Sequence, residues 1–304
     1  MTSFWRTVSH VLVVPAVLGG CATYDLSRVP PAQAQPISIA YSSEGPSGWT
    51  DLPIGTYRVP NSDVIVSGHD KGGIGGLFGV VGVLAQDAIE TEAAKADVNG
   101  GESAMQVNLV PQAETLTQQL IGSGHFGKTF ALTVDPNGPT LQVNPFVVLN
   151  FVNATDILPY VILKATLKNN AAGSSEWTTR YIASTGAPAP LFGEHGLAAK
   201  GGAGLHDILA VDLDRAVHAM LDDLASQHPR DGSRLVYVES AVPYLPVRMA
   251  MVGDELSDDG QTLVYAPKIA DGNVFAGVHV LEDAVTPHRP ATKDDKLHVL
   301  GGDK

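Results

Sequence analysis

Leu158-Pro159-Tyr160-Val161-Ile162-Leu163-Lys164-Ala165-Thr166-Leu167-Lys168 decides the fold class. Val161, Leu163, Ala165 and Leu167 alternate with Ile162, Lys164, Thr166 and Lys168. A period of two with one apolar set is the pattern of a half-buried strand. Comparable runs flank it at Thr129–Val134, Leu141–Val152 and Ser175–Ser184. The links are Asp135-Pro136-Asn137-Gly138, Asn153-Ala154-Thr155-Asp156 and Asn169–Gly173. Asn, Asp and Gly supply the backbone conformations of tight turns, and short links join antiparallel neighbours. The four runs therefore read as an antiparallel meander. Pro145 lacks an N–H and suits an edge or a bulge.

Beyond the meander, Thr185–Gly204 is a loop rich in Gly, Pro and Ala. Leu205–Gln227 then carries Leu209, Leu213, Val217, Met220, Leu221 and Leu224 at spacings of three and four. That is one apolar helical stripe, stopped by Pro229. Arg234–Val242, Arg248–Val252, Thr262–Tyr265 and Val274–Val280 read as further strands, with Ser257-Asp258-Asp259-Gly260 as a hairpin turn. Before the meander, Tyr57-Arg58-Val59 and Asp63–Ser67 read as short strands, and Gln86–Asp97 and Ala113–Ile121 as helices. The expected fold class is α+β: an antiparallel sheet, the four-strand meander plus C-terminal strands, packed with two or three helices. The folded domain is expected over residues 49–285, starting near Trp49, with a possible sub-boundary near 245. A polar, fraying tail is expected over 286–304.

The N-terminus has a different character. Met1–His10 holds one basic residue, Arg6, and no acid, and Val11–Leu18 is almost wholly apolar. A basic start, a short apolar core and small residues form a secretory signal, and this core is too short to span a bilayer. It ends in Leu18-Gly19-Gly20-Cys21, which contains the only cysteine of the chain. This stretch resembles the lipobox of bacterial lipoproteins. The resemblance covers only about the first twenty-one residues. It implies a signal peptide over 1–20, cleavage before Cys21, a diacylglyceryl thioether on the Cys21 sulfur and an acyl group on the new amine. Ala22 after the cysteine implies an outer-membrane destination. Residues 21–48, with Pro30-Pro31 and Pro36 and little periodicity, read as a tether.

The 304 residues include 19 basic and 32 acidic ones, a formal net charge of −13. Such a chain repels nucleic acid, so a nucleic-acid partner is not expected. Acylation of Cys21 leaves no thiol for a disulfide, a metal–thiolate site or a cysteine nucleophile. Lys71–Gly101 is unusual: Gly72, Gly73, Gly75, Gly76, Gly79 and Gly82 interleave with Ile74, Leu77, Phe78, Val80, Val81 and Val83. A helix here would show a smooth glycine face. It suits close packing in a core better than a membrane-contacting or self-associating glycine zipper.

Several motifs invite chemistry. Gly122-Ser123-Gly124-His125-Phe126-Gly127-Lys128-Thr129 matches the phosphate-binding loop in letters. That loop needs a strand before it and a helix after it, so that a helix N-terminus faces the phosphates. Here a helical stretch comes first and a strand follows, so Gly122, Gly127, Lys128 and Thr129 read as a chance match. Asp214, His218 and Asp222 share a helix face away from the apolar stripe, a solvated face rather than a metal site. His195 and His206 flank a glycine-rich loop. Trp177, Arg180 and Tyr181 sit on one strand, where they line a ligand face or, more simply, pack against neighbours. No His-Glu-x-x-His, cysteine pair or Gly-x-Ser-x-Gly occurs. No cofactor and no metal are expected.

The resulting expectation is a lipid-anchored protein of the bacterial cell envelope, facing the periplasm, that serves as a non-enzymatic binding or assembly component. Its partners would be the bilayer, through Cys21, and an envelope protein. One alternative is a membrane-anchored hydrolase built from scattered residues, marked by a pocket gathering His195, His206 and His218 with nearby acids. The other is an apolar-ligand carrier or membrane-associating subunit using residues 71–85.

Overall fold

The expected meander proves to be buried on both faces along half its length. A computed structural model describes residues 26–48, 51–68, 83–133, 135, 137–168, 176–269 and 273–300. Leu18–Cys21, Trp49 and most of the glycine-rich stretch lie outside them. In chain order the elements are β1 (Ile37–Tyr41), β2 (Thr56–Arg58), β3 (Val64–Ser67), α1 (Val83–Asp97), a 3-10 turn (Glu102–Met105), α2 (Val110–Gly122) and β4 (Phe130–Ala131). Then come β5 (Thr140–Phe151), β6 (Asp156–Lys168), β7 (Trp177–Ser184), β8 (Ala189–Pro190) and α3 (Ala199–Ser226). The chain closes with β9 (Leu235–Ala241), β10 (Arg248–Asp258), β11 (Thr262–Pro267), β12 (Val278–Glu282), a second 3-10 turn (Asp283–Val285), β13 (His288–Pro290) and β14 (His298–Leu300). The protein is α+β, as its patterning indicates.

The sheet is mixed and larger than a meander with appended strands. Its main path runs β13-β9-β10-β11-β12-β7-β6-β5-β1-β4. The β5–β6–β7 ladders are antiparallel, with Thr140 opposite Lys168, Phe151 opposite Ile157 and Leu167 opposite Trp177. However, β1 runs parallel to both β4 and β5, β3 runs parallel to β5, and β12 runs parallel to β7. The run expected at Thr129–Val134 shortens to β4 and does not neighbour β5, because β1 lies between them.

Period-two alternation sends the side chains of the central strands into two cores. Val147, Leu149, Val161, Leu163, Ala165 and Tyr181 join the core under the helices. Phe146, Val148, Leu158, Tyr160, Ile162 and Ile182 join a second core with Val236, Met251, Leu263 and Tyr265 of β9–β11. The half-buried pattern of β6 thus holds only at its end, where Lys164, Thr166 and Lys168 lie beyond the second layer. The first core is closed by α3, which packs on β6 and β7. Leu209, Leu213, Val217, Met220, Leu221 and Leu224 are all at most 3% exposed. Burying each such side chain contributes roughly 1.5–3 kcal/mol. Lys200, Gly201 and Gly202 have left-handed backbone angles, so regular helix begins after them, and it ends at Gln227 in the left-handed conformation.

Three expected boundaries change. Residues 21–48 are not a free tether: from Leu26 on the chain belongs to the body, and Ile37, Ile39 and Tyr41 alternate within β1. Pro36, directly before it, hides that strand. The stretch 286–304 does not fray as a whole: β13 pairs with β9 and β14 with β10. Arg289 lies 4.2 Å over the Tyr237 ring and makes two 2.7 Å bonds to Asp295. Residues near 245 mark no boundary: they join β9 to β10 in one sheet, and Tyr244 and Leu245 are part of the second core.

Pro145 has a clear reason. On the far edge of β5, β1 stops opposite Val143 and β3 starts opposite Val147. Val143 C=O accepts from Ser42 and Val147 N–H donates to Asp63 on that edge. Pro145 shares their orientation and falls in the gap between the two strands, where no ladder bond is lost.

Candidate functional site

Strand β7 divides two buried ionic networks. Trp177, Thr179 and Tyr181 point toward α3, and Thr178, Arg180 and Ile182 toward the opposite face, as strand alternation requires. On that opposite face the Arg180 guanidinium donates to Asp51 Oδ1 at 2.9 Å, and Lys164 Nζ donates to Asp51 Oδ2 at 2.5 Å. Asp51 is fully buried, Arg180 nearly so, and Lys164 is partly exposed. Tyr244 Oη donates to the Asp51 backbone carbonyl at 2.7 Å, and the Ser47 N–H donates to Asp51 Oδ2 at 3.3 Å. Residues 42–48 and 51–55, which have no regular structure, are thereby fastened to the sheet. Gly277 has φ of 141°, and a Cβ there would lie 2.6 Å from the Arg180 carbonyl oxygen, so only glycine lets the approach to β12 pass this close. Lys164 reaches a polar cleft of about 150 Å³ that is also lined by Ser42, Glu44, Gln142, Asn144 and Glu176.

On the helix side, Tyr181 Oη donates to Asp223 Oδ2 at 2.7 Å and Arg230 donates to the same oxygen at 2.5 Å. Burial raises the Asp223 carboxyl above its usual range, and the Arg230 guanidinium opposes that rise. Arg230 also donates to the carbonyls of Ser27, at 2.8 Å, and Arg28. Trp177 Nε1 donates to the Arg28 carbonyl at 3.0 Å, and Thr179 Oγ1 to the Leu26 carbonyl at 2.5 Å. Ser27 Oγ donates to the Pro267 carbonyl at 3.2 Å. Leu26–Arg28 is therefore clamped between β7, the end of α3 and the end of β11.

A third buried acid stands apart. Asp212 lies on the inner face of α3, fully buried, and neither carboxylate oxygen accepts a hydrogen bond. Burial pushes its carboxyl up to about 8, opposed by Arg215 and reinforced by Glu282. Arg215 and Glu282 pair with each other at 3.3 Å. Burial thus favours the protonated, uncharged form of Asp212.

The sequence candidates distribute as follows. Gly122–Thr129 runs from α2 into β4, helix before strand, and Gly122, Gly127 and Lys128 are exposed. His218 stays on its own helix, 3.0 Å from the Asp214 carbonyl oxygen and 3.4 Å from its carboxylate. Asp222 turns instead to His228 at 2.8 Å and Ser226 at 3.1 Å. His195 and His206 are exposed, and neither they nor His218 line the cleft beside Lys164. Trp177, Arg180 and Tyr181 are buried and engaged as above, packing rather than lining a ligand face. Cys21 lies outside the described residues. Asp258, Asp283 and His288 are brought together, with ligand-type atoms within 4.8 Å of one another. His288 lies 3.5 Å from Asp258 and 3.4 Å from Asp283, an ion-pair arrangement at the turn of the β10–β11 hairpin.

Sequence reasoning missed Asp51, Lys164, Asp212, Asp223 and Arg230. Two of them had a signal. Asp212 and Asp223 follow Leu209 and Met220 by three residues, so each is an acid on an apolar stripe. Asp51 lies in an aperiodic loop and gave none. Comparison with protein-family models, with curated proteins and with solved structures finds no match for this chain.

Proposed function

We propose that this chain is a lipoprotein of the bacterial cell envelope, held at the outer membrane by acyl chains on Cys21 and facing the periplasm. It acts by binding a protein partner as an accessory or assembly component. The carrying observation is Leu18-Gly19-Gly20-Cys21, the lone thiol of the chain placed directly behind a signal-like apolar run. Two or three acyl chains, at about 0.8 kcal/mol per buried methylene, hold a protein on a membrane durably. Among the described residues no helix is long and apolar enough to cross a membrane. The use of buried charge also suits a scaffold: Asp51, Arg180, Asp223 and Arg230 all fasten one chain segment to another.

Fractionation of cells expressing the wild type and Cys21→Ala tests the anchor. The wild type is expected in the membrane pellet and the variant in the soluble fraction; retention of the variant in the pellet refutes the anchor. Crosslinking and pull-down of the anchored protein tests the binding role. A discrete, stoichiometric partner is expected, and recovery of the chain alone refutes that role.

A further inference from the structure

The clamp on Leu26–Arg28 fixes where an anchor on Cys21 can leave the body. Five residues lead from Cys21 to Leu26, a span of at most about 18 Å when fully extended. Leu26 is bonded to Thr179, which faces Ala165 on β6. From Ala165 to the start of β6 at Asp156 the strand rises about 30 Å. An acylated Cys21 therefore reaches the end of the molecule where β7 begins and α3 stops. It does not reach the β5–β6 turn at the other end.

The charges are arranged the same way. Arg28, Lys168 and Lys268 are exposed around the clamped end, with Lys168 adjoining the start of β7 and Lys268 following the Pro267 that Ser27 touches. Glu44, Glu176 and Asp231 lie among them and Lys268 pairs with Asp254 at 3.5 Å, so the charges at this end roughly cancel. The opposite end is the more acidic: it carries Asp156, Asp258, Asp259 and Asp283 on the β5–β6 and β10–β11 turns and the end of β12, while Arg215 there is matched by Glu282 at 3.3 Å. The chain as a whole is repelled by an anionic surface. The lipid supplies attachment, and the charge asymmetry turns the acidic end outward.

We propose that the domain stands on the bilayer in one orientation, with the Leu26–Arg28 clamp and the end of α3 against the headgroups of an anionic lipid surface and the β5–β6 turn pointing away. This rests on the acylation of Cys21 proposed above.

The test uses the full acylated protein in vesicles of phosphatidylcholine and phosphatidylglycerol that contain a headgroup-nitroxide lipid. With the Cys21 sulfur in a thioether, one introduced cysteine is the sole free thiol. A fluorophore on Asp231→Cys is expected to be quenched several-fold more than the same fluorophore on Ala154→Cys. Equal quenching, or stronger quenching at Ala154→Cys, overturns the orientation. A twenty-residue Gly/Ser insertion before Leu26 is expected to reduce the contrast at least two-fold, and an unchanged contrast overturns the role of the short span. Mass spectrometry of the N-terminal peptide separates the two readings. An unacylated peptide defeats the lipoprotein assignment and this inference with it, whereas an acylated peptide with equal quenching defeats this inference alone.

Discussion

At the scale of the residue, the buried acids carry the sharpest expectations. Burial raises the Asp212 carboxyl to about 8 from its ordinary value of 3.8. Between these values the folded state binds more protons than the unfolded one, so stability falls as pH rises across that window. Asp212→Asn removes the dependence. It is expected to raise stability at pH 8 by on the order of 2–5 kcal/mol and to leave it nearly unchanged at pH 4. Urea denaturation of both proteins at the two pH values measures this, and equal midpoints at pH 8 contradict it. Substitution of Asp51 is expected to lower stability instead. Asp51→Ala leaves the Arg180 guanidinium buried without its counter-charge, at an expected cost of about 3–5 kcal/mol. A loss below 1 kcal/mol in the same experiment would show that Arg180 is solvated after the change. The sequence makes the two acids unequally visible. Asp212 interrupts a readable apolar stripe, whereas Asp51 gains its role from partners 113 and 129 residues away.

Among the elements, α3 and the β5–β6 hairpin were readable because their partners are supplied by their own periodicity. The apolar stripe on α3 names its buried face, and Leu213→Ala is expected to destabilise by about 2–5 kcal/mol through the lost side chain and the cavity it leaves. Thermal unfolding reports it, and a shift within error would mean the helix is free to close the space. Strand β1 was not readable. Its five residues, directly after Pro36, carry too short a pattern, and its neighbours β4 and β5 are fixed only by tertiary pairing. The segment before it depends on Trp177 and Thr179 of β7 and on Arg230, just beyond α3. Thr179→Val deletes the hydroxyl that donates to Leu26, at about 1 kcal/mol. Limited trypsin digestion is expected to cut after Arg28 several-fold faster in this variant, with the rest of the chain still protected. Unchanged cleavage at Arg28 would show that the remaining bonds hold the segment alone.

For the whole molecule, the class was legible and the wrapping was not. Alternation and short turns identify antiparallel hairpins, but they do not say that β9–β12 fold across the far face of β5–β7. Phe146, Tyr160 and Ile182 meet Val236, Met251 and Tyr265 there, and those contacts join two runs of strands that the sequence presents as separate. One consequence is cooperativity. Scanning calorimetry of the full chain is expected to show a single transition, while a fragment ending at Leu245 exposes the second core and shows none. Two resolved transitions in the full chain would mean that the layers unfold independently.

The place of β1 between β4 and β5 also governs the order in which the sheet can be completed. The Ser38 hydroxyl accepts from Asp135, 97 residues later in the chain. If the chain is exported as proposed, β1 has no neighbour on leaving the channel until the meander follows it, and contacts this distant in sequence form slowly. If Cys21 is held at a membrane during that interval, the nascent body assembles beside the bilayer, with its earliest strand waiting as an open edge.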